Sequence, residues 1–302
     1  MLVIRVVLGA VVLALVAAAG ASAHVDRSSA NSMPFTDPVG DSGAKPDISG
    51  GTVSNDDAGK ITFTVAFANR PALIPGDFVE IFIDADNAAW TGNEGFEYVI
   101  EYSFDRFDSS PATSELTHWD GTQYATVTTA TVTSSYAAGT LTLSLSFRAL
   151  DDTAKLRFFV YSDSSANEED TDFDDAPSDE VFSYQVKVPL LFDAFKPPAK
   201  VESGKSATAA LAVTTDDDVH GIVTCRGTIA GKPVRGQSSW VGVLLAPRPS
   251  PAGDTASPFA YKGVAFCTWK VPKTAKRKLL KGTITAAKEG LTVSRSFSVR
   301  VG

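Results

Sequence analysis

The chain has 302 residues, 44% of them apolar and 21% charged, a balance that suits two packed domains and excludes a disordered, collagen-like or disulfide-stapled miniature chain. Its formal net charge of −8 is unevenly divided. Residues 24–187 hold 28 acidic and 9 basic side chains, net −19, whereas residues 188–302 hold 7 and 17, net +10.

The chain opens on Arg5, an apolar run from Val6 to Val16 and small residues through Ala23. This is the pattern of a secretory signal peptide, residues 1–23, with Ala21-Ser22-Ala23 as the preferred cleavage site, Ala19-Gly20-Ala21 as the second, and His24 as the expected mature N-terminus. The wholly apolar stretch from Val6 to Ala19 is short of the ~18–20 residues of a spanning helix. The expected product is secreted and extracellular, with no membrane span after cleavage.

Beyond the leader the period is that of strands. Ile61, Phe63, Val65 and Phe67 alternate with polar or small residues, as do Leu141, Leu143, Leu145 and Phe147, so each segment buries one face of a sheet. Alternation also runs over 96–102 and 291–301, and further strands fit 79–83, 156–161 and 180–188. Gly, Asp, Asn and Pro clusters such as Pro75-Gly76-Asp77, Asp120-Gly121 and Lys288-Glu289-Gly290 separate them. No long amphipathic helix intervenes. The prediction is all-β, two antiparallel sandwiches. The sign of the charge changes near Val188, where Pro189, Pro197 and Pro198 suggest a short, stiff linker, so the domains are read as 24–188 and 189–302.

Both cysteines, Cys225 and Cys267, fall in the basic half. An exported protein meets an oxidising compartment, so one intradomain disulfide is expected.

Four short motifs then occur in order: Asp37-Pro38-Val39-Gly40-Asp41; Pro46-Asp47-Ile48; Ile83-Asp84-Ala85-Asp86-Asn87 with Thr91-Gly92; and Gly95-Phe96-Glu97-Tyr98. Together with Asp175-Ala176-Pro177 before a final strand, they give residues 33–188 a resemblance to the carbohydrate-binding-module family 9-like group, related to DOMON domains. That resemblance implies a jelly-roll-like sandwich. Sugar-binding members of the group stack tryptophans on the ligand, which makes Trp90 and Trp119 the candidate glycan-binding residues. The second domain resembles bacterial immunoglobulin-like modules through Val223-Thr224-Cys225, Cys267-Thr268-Trp269 and the strand at Lys281-Gly282-Thr283-Ile284. Trp240, fifteen residues after Cys225, is acceptable as its core tryptophan, although Ala265 replaces the corner tyrosine.

Asp84, Asp86, Asn87, Thr91 and Glu94 set hard oxygen donors through one loop, which suits calcium. It is not an EF-hand: counting Asp84 as the first position, the sixth is Ala89 and the twelfth Gly95. The same residue types also serve a plain Asx-rich turn. Asp37, Asp41 and Asp47 form a second acidic cluster and Asp172, Asp174, Asp175 and Asp179 a third, both read as solvated loops. Lys273 to Lys281, with Lys276-Arg277-Lys278 at its centre, could meet acidic polymers or cell-wall polyanions, but basic turns are common and it reads as a solvated loop without aromatic interleaving for nucleic acid. No GxSxG motif occurs. Cleavage before His24 leaves an amine and imidazole that resemble the copper brace of lytic polysaccharide monooxygenases, for which only His118 or His220 could supply the second imidazole.

The expected function is a non-catalytic binding protein that recognises an extracellular glycan or cell-envelope component through the first domain, with calcium as a structural ion and no nucleic-acid partner. The alternatives are a structural or adhesive envelope protein and the copper-dependent enzyme using His24.

Overall fold

A computed structural model describes residues 31–104, 112–165, 173–178, 180–187, 190–215, 221–243 and 261–302. The first half contributes β1 (Ser32–Thr36), β2 (Ile48–Asn55), β3 (Lys60–Phe67), β4 (Asp77–Asp84), β5 (Tyr98–Ser103), β6 (Thr113–Trp119), β7 (Tyr124–Thr126), β8 (Thr133–Ala137), β9 (Thr140–Ser146), β10 (Lys155–Ser164), β11 (Asp174–Ala176) and β12 (Phe182–Gln185). The second contributes β13 (Leu191–Lys196), β14 (Ser206–Thr215), β15 (Ile222–Ile229), β16 (Lys232–Pro233), β17 (Gly236–Val243), β18 (Tyr261–Lys270), β19 (Leu279–Lys288) and β20 (Leu291–Arg300). Two single-turn 3₁₀ segments, Phe147–Leu150 and Lys273–Ala275, join them. The protein is all-β and built from antiparallel sheets.

In the first half a five-stranded sheet, β1-β2-β3-β9-β8, faces a seven-stranded one, β11-β10-β4-β5-β6-β7 with β12 also on β10. Ile61, Phe63 and Val65 of β3 and Leu141, Leu143 and Leu145 of β9 meet Ile81 and Ile83 of β4 and Phe158 and Val160 of β10 in one buried core. The expected alternation is therefore the packing: the polar residues between them point out. In the second half β13-β14-β18-β17 faces β16-β15-β19-β20, around Leu211, Val213, Ala265, Cys267, Trp269 and Ile284.

The expected disulfide, Cys225–Cys267, is present and joins β15 of one sheet to β18 of the other. The core tryptophan beside it is Trp269, which is fully buried; Trp240 is half-buried and lies over Gly263 and Gly221. Trp269 follows Cys267 by two residues on the same strand face, so the strand period itself places it inward.

The segment read as a linker is largely strand. Leu191–Lys196 forms β13, paired along β14. Val186 is buried in the first core and Leu190 in the second. Charges cross this junction: Lys262 Nζ lies 2.8 Å from Asp152 Oδ2, and Arg148 pairs with Asp193. Thr214 donates to Asp193 Oδ2 at 2.8 Å.

Candidate functional site

The core consumes one face of β4 and β10, and the outward face of each carries aromatic rings between charged side chains. Reading outward on β4 are Phe78, Glu80, Phe82 and Asp84; opposite them on β10 are Asp163, Tyr161, Phe159 and Arg157. Phe82 and Phe159 stack in parallel with ring centroids 4.6 Å apart. Phe96 meets Phe159 edge-on at 5.0 Å and Phe82 at 6.1 Å. Tyr124 of β7 meets Phe82 at 6.4 Å, and Trp119 packs edge-on against Tyr124 at 5.2 Å. These rings are half-buried on the solvent side of the seven-stranded sheet. A cleft of about 400 Å³ opens beside them, lined by Phe96, Phe159, Asp175, Pro177, Ser178 and Glu180.

A row of carboxylates runs across the strands next to the rings. Glu80, Glu101 and Glu115 are direct cross-strand partners, a like-charge arrangement that costs stability unless something uses it. Burial and then the Glu101 charge raise the Glu80 carboxyl above its ordinary value.

The loop from β4 to β5 borders this face and is braced from within. Asp84, Asp86 and Glu97 are all buried, with carboxylate oxygens within 4.8 Å of one another. Arg157 pairs with Asp84, its Nε donating to Oδ2 at 2.7 Å. The Ala85 amide donates to Glu97 Oε2 at 2.9 Å, and the Thr91 hydroxyl donates to Asp86 Oδ1 at 2.9 Å and also contacts Glu97. Burial, then the Asp86 and Asp84 charges, push Glu97 up to about 7; burial also raises Asp84, against the pull of Arg157. Gly92, at φ +64°, is required here, because a Cβ on it would lie 2.1 Å from the Phe96 carbonyl oxygen. That oxygen also accepts a 2.9 Å hydrogen bond from the Tyr124 hydroxyl. The network thus holds Phe96 against the stacked rings.

Of the residues expected to bind calcium, Asp84, Asp86 and Thr91 come together. The Asn87 amide instead donates to the Lys155 carbonyl at 2.8 Å, and Glu94 is exposed at the loop tip. Glu97, which the sequence reading passed over, completes the group; three carboxylates and a hydroxyl are hard oxygen donors that fit calcium.

Trp90, 47% exposed, lies in this same loop, whereas Trp119 sits on the sheet against Tyr124. Asp37, Asp41 and Asp174 also converge, with Asp174 accepting from the Ile48 amide. Asp172 and Asp179 lie outside the described residues, as do His24, His220 and the leader. His118 lies 4.7 Å from the core ring of Tyr98, tilted to it by 57°. Among the described residues no helix is long and apolar enough to cross a membrane.

No family model and no curated protein matches the chain. Two solved structures are similar to it at low scores. "Crystal Structure of Rst D1-D2" has a TM-score of 0.32 and 12% identity over 90% of this chain and 98% of that one. "Marsupial T cell receptor" has a TM-score of 0.21 and 14% identity over 80% and 91%.

Proposed function

We propose that the protein is an exported, non-catalytic binding protein whose first domain recognises a neutral glycan on the outer face of its seven-stranded sheet. The observation that carries this reading is the parallel Phe82–Phe159 pair, solvent-side and flanked by Phe96, Tyr124 and Trp119. Aromatic rings held outside a core, beside a cleft with a few polar groups, form the usual composition of a small-ligand site. Ring faces take the C–H face of a sugar, and Glu80, Asp175 and Glu180 accept from its hydroxyls. The carboxylates repel an anionic ligand, which limits the class to uncharged saccharides. Asp84, Asp86 and Glu97 would hold a calcium ion that fixes the loop carrying Phe96 and Trp90 without touching the ligand.

The test is a glycan array probed with the mature protein, followed by titration calorimetry of the best oligosaccharide against wild type, Phe159→Ala and Phe96→Ala. The reading predicts selective binding to neutral oligosaccharides that both variants lose. Its failure is an array with no signal, or a signal that both variants keep.

A structural or adhesive role is the second reading, favoured by the ion pairs of Arg148, Asp152, Asp193 and Lys262 across the junction. Such a protein would hold its two sandwiches in fixed register and bind nothing on the aromatic face.

A further inference from the structure

The second domain's positive charge is gathered at one end. A small apolar cluster of Val201, Ala207, Ile229, Val271, Ala275, Leu280 and Val301 lies apart from the Trp269 core. Each of its members belongs to a segment that turns or starts at the same end of the sandwich: Ser206 pairs with Lys270, Ile229 with both Leu280 and Lys232, and Leu279 with Arg300. The four segments 200–206, 229–233, 270–281 and 298–302 carry ten basic residues against the single acid Glu202. That excess of nine is nearly the whole +10 of the domain.

The platform is pinned by backbone. The Arg277 amide donates to the Val301 carbonyl at 2.8 Å, Val301 donates to Lys278 at 2.8 Å, and Lys278 donates to Ala275 at 2.9 Å. Lys205 accepts from the Val271 amide at 2.9 Å. Ala275 points into the cluster while Lys273, Lys276, Arg277, Lys278 and Lys281 stay exposed. A turn that held one loose basic loop would be ordinary; here four segments present their charges around one fixed core.

The opposite end of the sandwich faces the acidic domain, where Lys262, paired with Thr214, meets Asp152. β14 runs ten residues from Ser206 to Thr215, about 30 Å at ~3.3 Å per residue. The Debye length at physiological salt is about 8 Å, so the −19 of the first domain is screened out at this pole.

We propose that this pole is a binding surface for a linear acidic polysaccharide, independent of any ligand of the first domain. Three features select that partner. The four segments contain no aromatic ring, so bases would have nothing to stack on. Lys outnumbers Arg eight to two, which supplies mobile point charges for single carboxylates or sulfates at variable spacing in place of the rigid forks that read phosphate. And the surface is an open rim, suited to a chain that lies across several charges at once rather than to one small anion.

The experiment uses the full mature protein and measures binding of polygalacturonate, dextran sulfate and duplex DNA by fluorescence anisotropy at several salt concentrations. Wild type is compared with Lys273→Glu/Lys276→Glu/Lys278→Glu, with the matching triple Arg variant, and with Lys60→Glu on β3 as a control remote from the pole. The expected result is binding of the two acidic polysaccharides despite the net charge of −8, at least a tenfold loss in the triple Glu variant and retention in the Arg variant and the control. The salt slope should shrink by roughly one unit per contact removed. The proposal is overturned if neither polysaccharide binds at 50 mM salt, if duplex DNA binds more tightly than both, or if the Glu variant binds like wild type with an unchanged melting temperature. Sedimentation velocity at the same low salt covers the remaining case: association of wild type with itself that the Glu variant abolishes, without polysaccharide binding, makes the pole's partner a second copy's acidic domain and also overturns it.

Discussion

Phe82 and Phe159 are direct cross-strand partners, and their rings lie parallel within 1° on the solvent side of the sheet. The ring pair contributes about 0.5–1.5 kcal/mol beyond the area it buries, and with the half-buried area of Phe159 also lost, Phe159→Ala should lower stability by about 1–2 kcal/mol in urea denaturation and leave the fold intact. Saccharide affinity should fall at least tenfold in the same variant. A large affinity loss with a small stability loss is the signature of a ligand platform; the reverse would make the pair a packing element.

In the buried group of Asp84, Asp86 and Glu97, Arg157 pairs with Asp84. A divalent ion that binds only the folded state stabilises it by RT ln(1 + [L]/Kd), about 2.7 kcal/mol at a hundredfold excess. The melting temperature should therefore rise by several degrees between chelator and millimolar calcium at matched ionic strength. Asp84→Ala/Asp86→Ala should abolish the rise. Equal melting curves in calcium and chelator for the wild type would leave these carboxylates as the internal brace of the loop.

The strands of the first core were legible because burial on one face imposes a period of two, as in Ile61 to Phe67 and Leu141 to Phe147. The aromatic face was not, because Phe82 and Phe159 break that alternation by being apolar on the outward side, and from sequence an apolar run does not say which face it covers. Phe96 was drawn into the strand over 96–102; in fact β5 starts at Tyr98, and the Asn93–Phe96 bridge puts Phe96 in the loop and outside the core. Glu97 is fourteenth counted from Asp84, too far for any short ligand spacing, and reaches the cluster only because β5 pairs antiparallel with β4. Trp240 and Trp269 show the same limit in the second domain: spacing from one cysteine favoured the first, and the register of β18 buries the second.

Stability should fall as pH rises from about 4 to 7. Burial first, then the charges of Asp174, Asp41, Asp175 and Asp47, push Asp37 up to about 7, and Asp174 is raised to about 6, again chiefly by burial. Unfolded, both release their protons near 3.8. Between those values the folded state holds protons that the unfolded chain has lost, so the stabilisation present at low pH disappears as pH passes through the folded values. Asp37→Asn mimics the protonated side chain and should raise the melting temperature more at pH 8 than at pH 5, because at pH 5 the unfolded carboxyl has only begun to gain from its ionisation. Scanning calorimetry at the two pH values reads this directly, and a variant with the same shift at both would refute it.

In the second sandwich the disulfide and Trp269 depend on glycines for room. A Cβ on Gly227 would lie 2.5 Å from Trp269 Nε1, and one on Gly236 would lie 2.6 Å from Cys225 Cβ. Trp269 is fully buried, so it cannot swing aside, and overpacking of this kind costs about 1–3 kcal/mol. The Cys225–Cys267 bridge spans 42 residues, a loop whose closure is worth about 4 kcal/mol in the chain-entropy model. Reduction should therefore lower the second domain's melting transition further than Gly227→Ala does. Because the bridge and the tryptophan share one contact region, the two losses should couple: reduction of the Gly227→Ala protein should cost less than the two single effects added together. Differential scanning fluorimetry of the four states, oxidised and reduced with and without the substitution, measures that difference. Strict additivity would mean that the inserted methyl is accommodated by sheet movement away from the bridge and not by crowding against it.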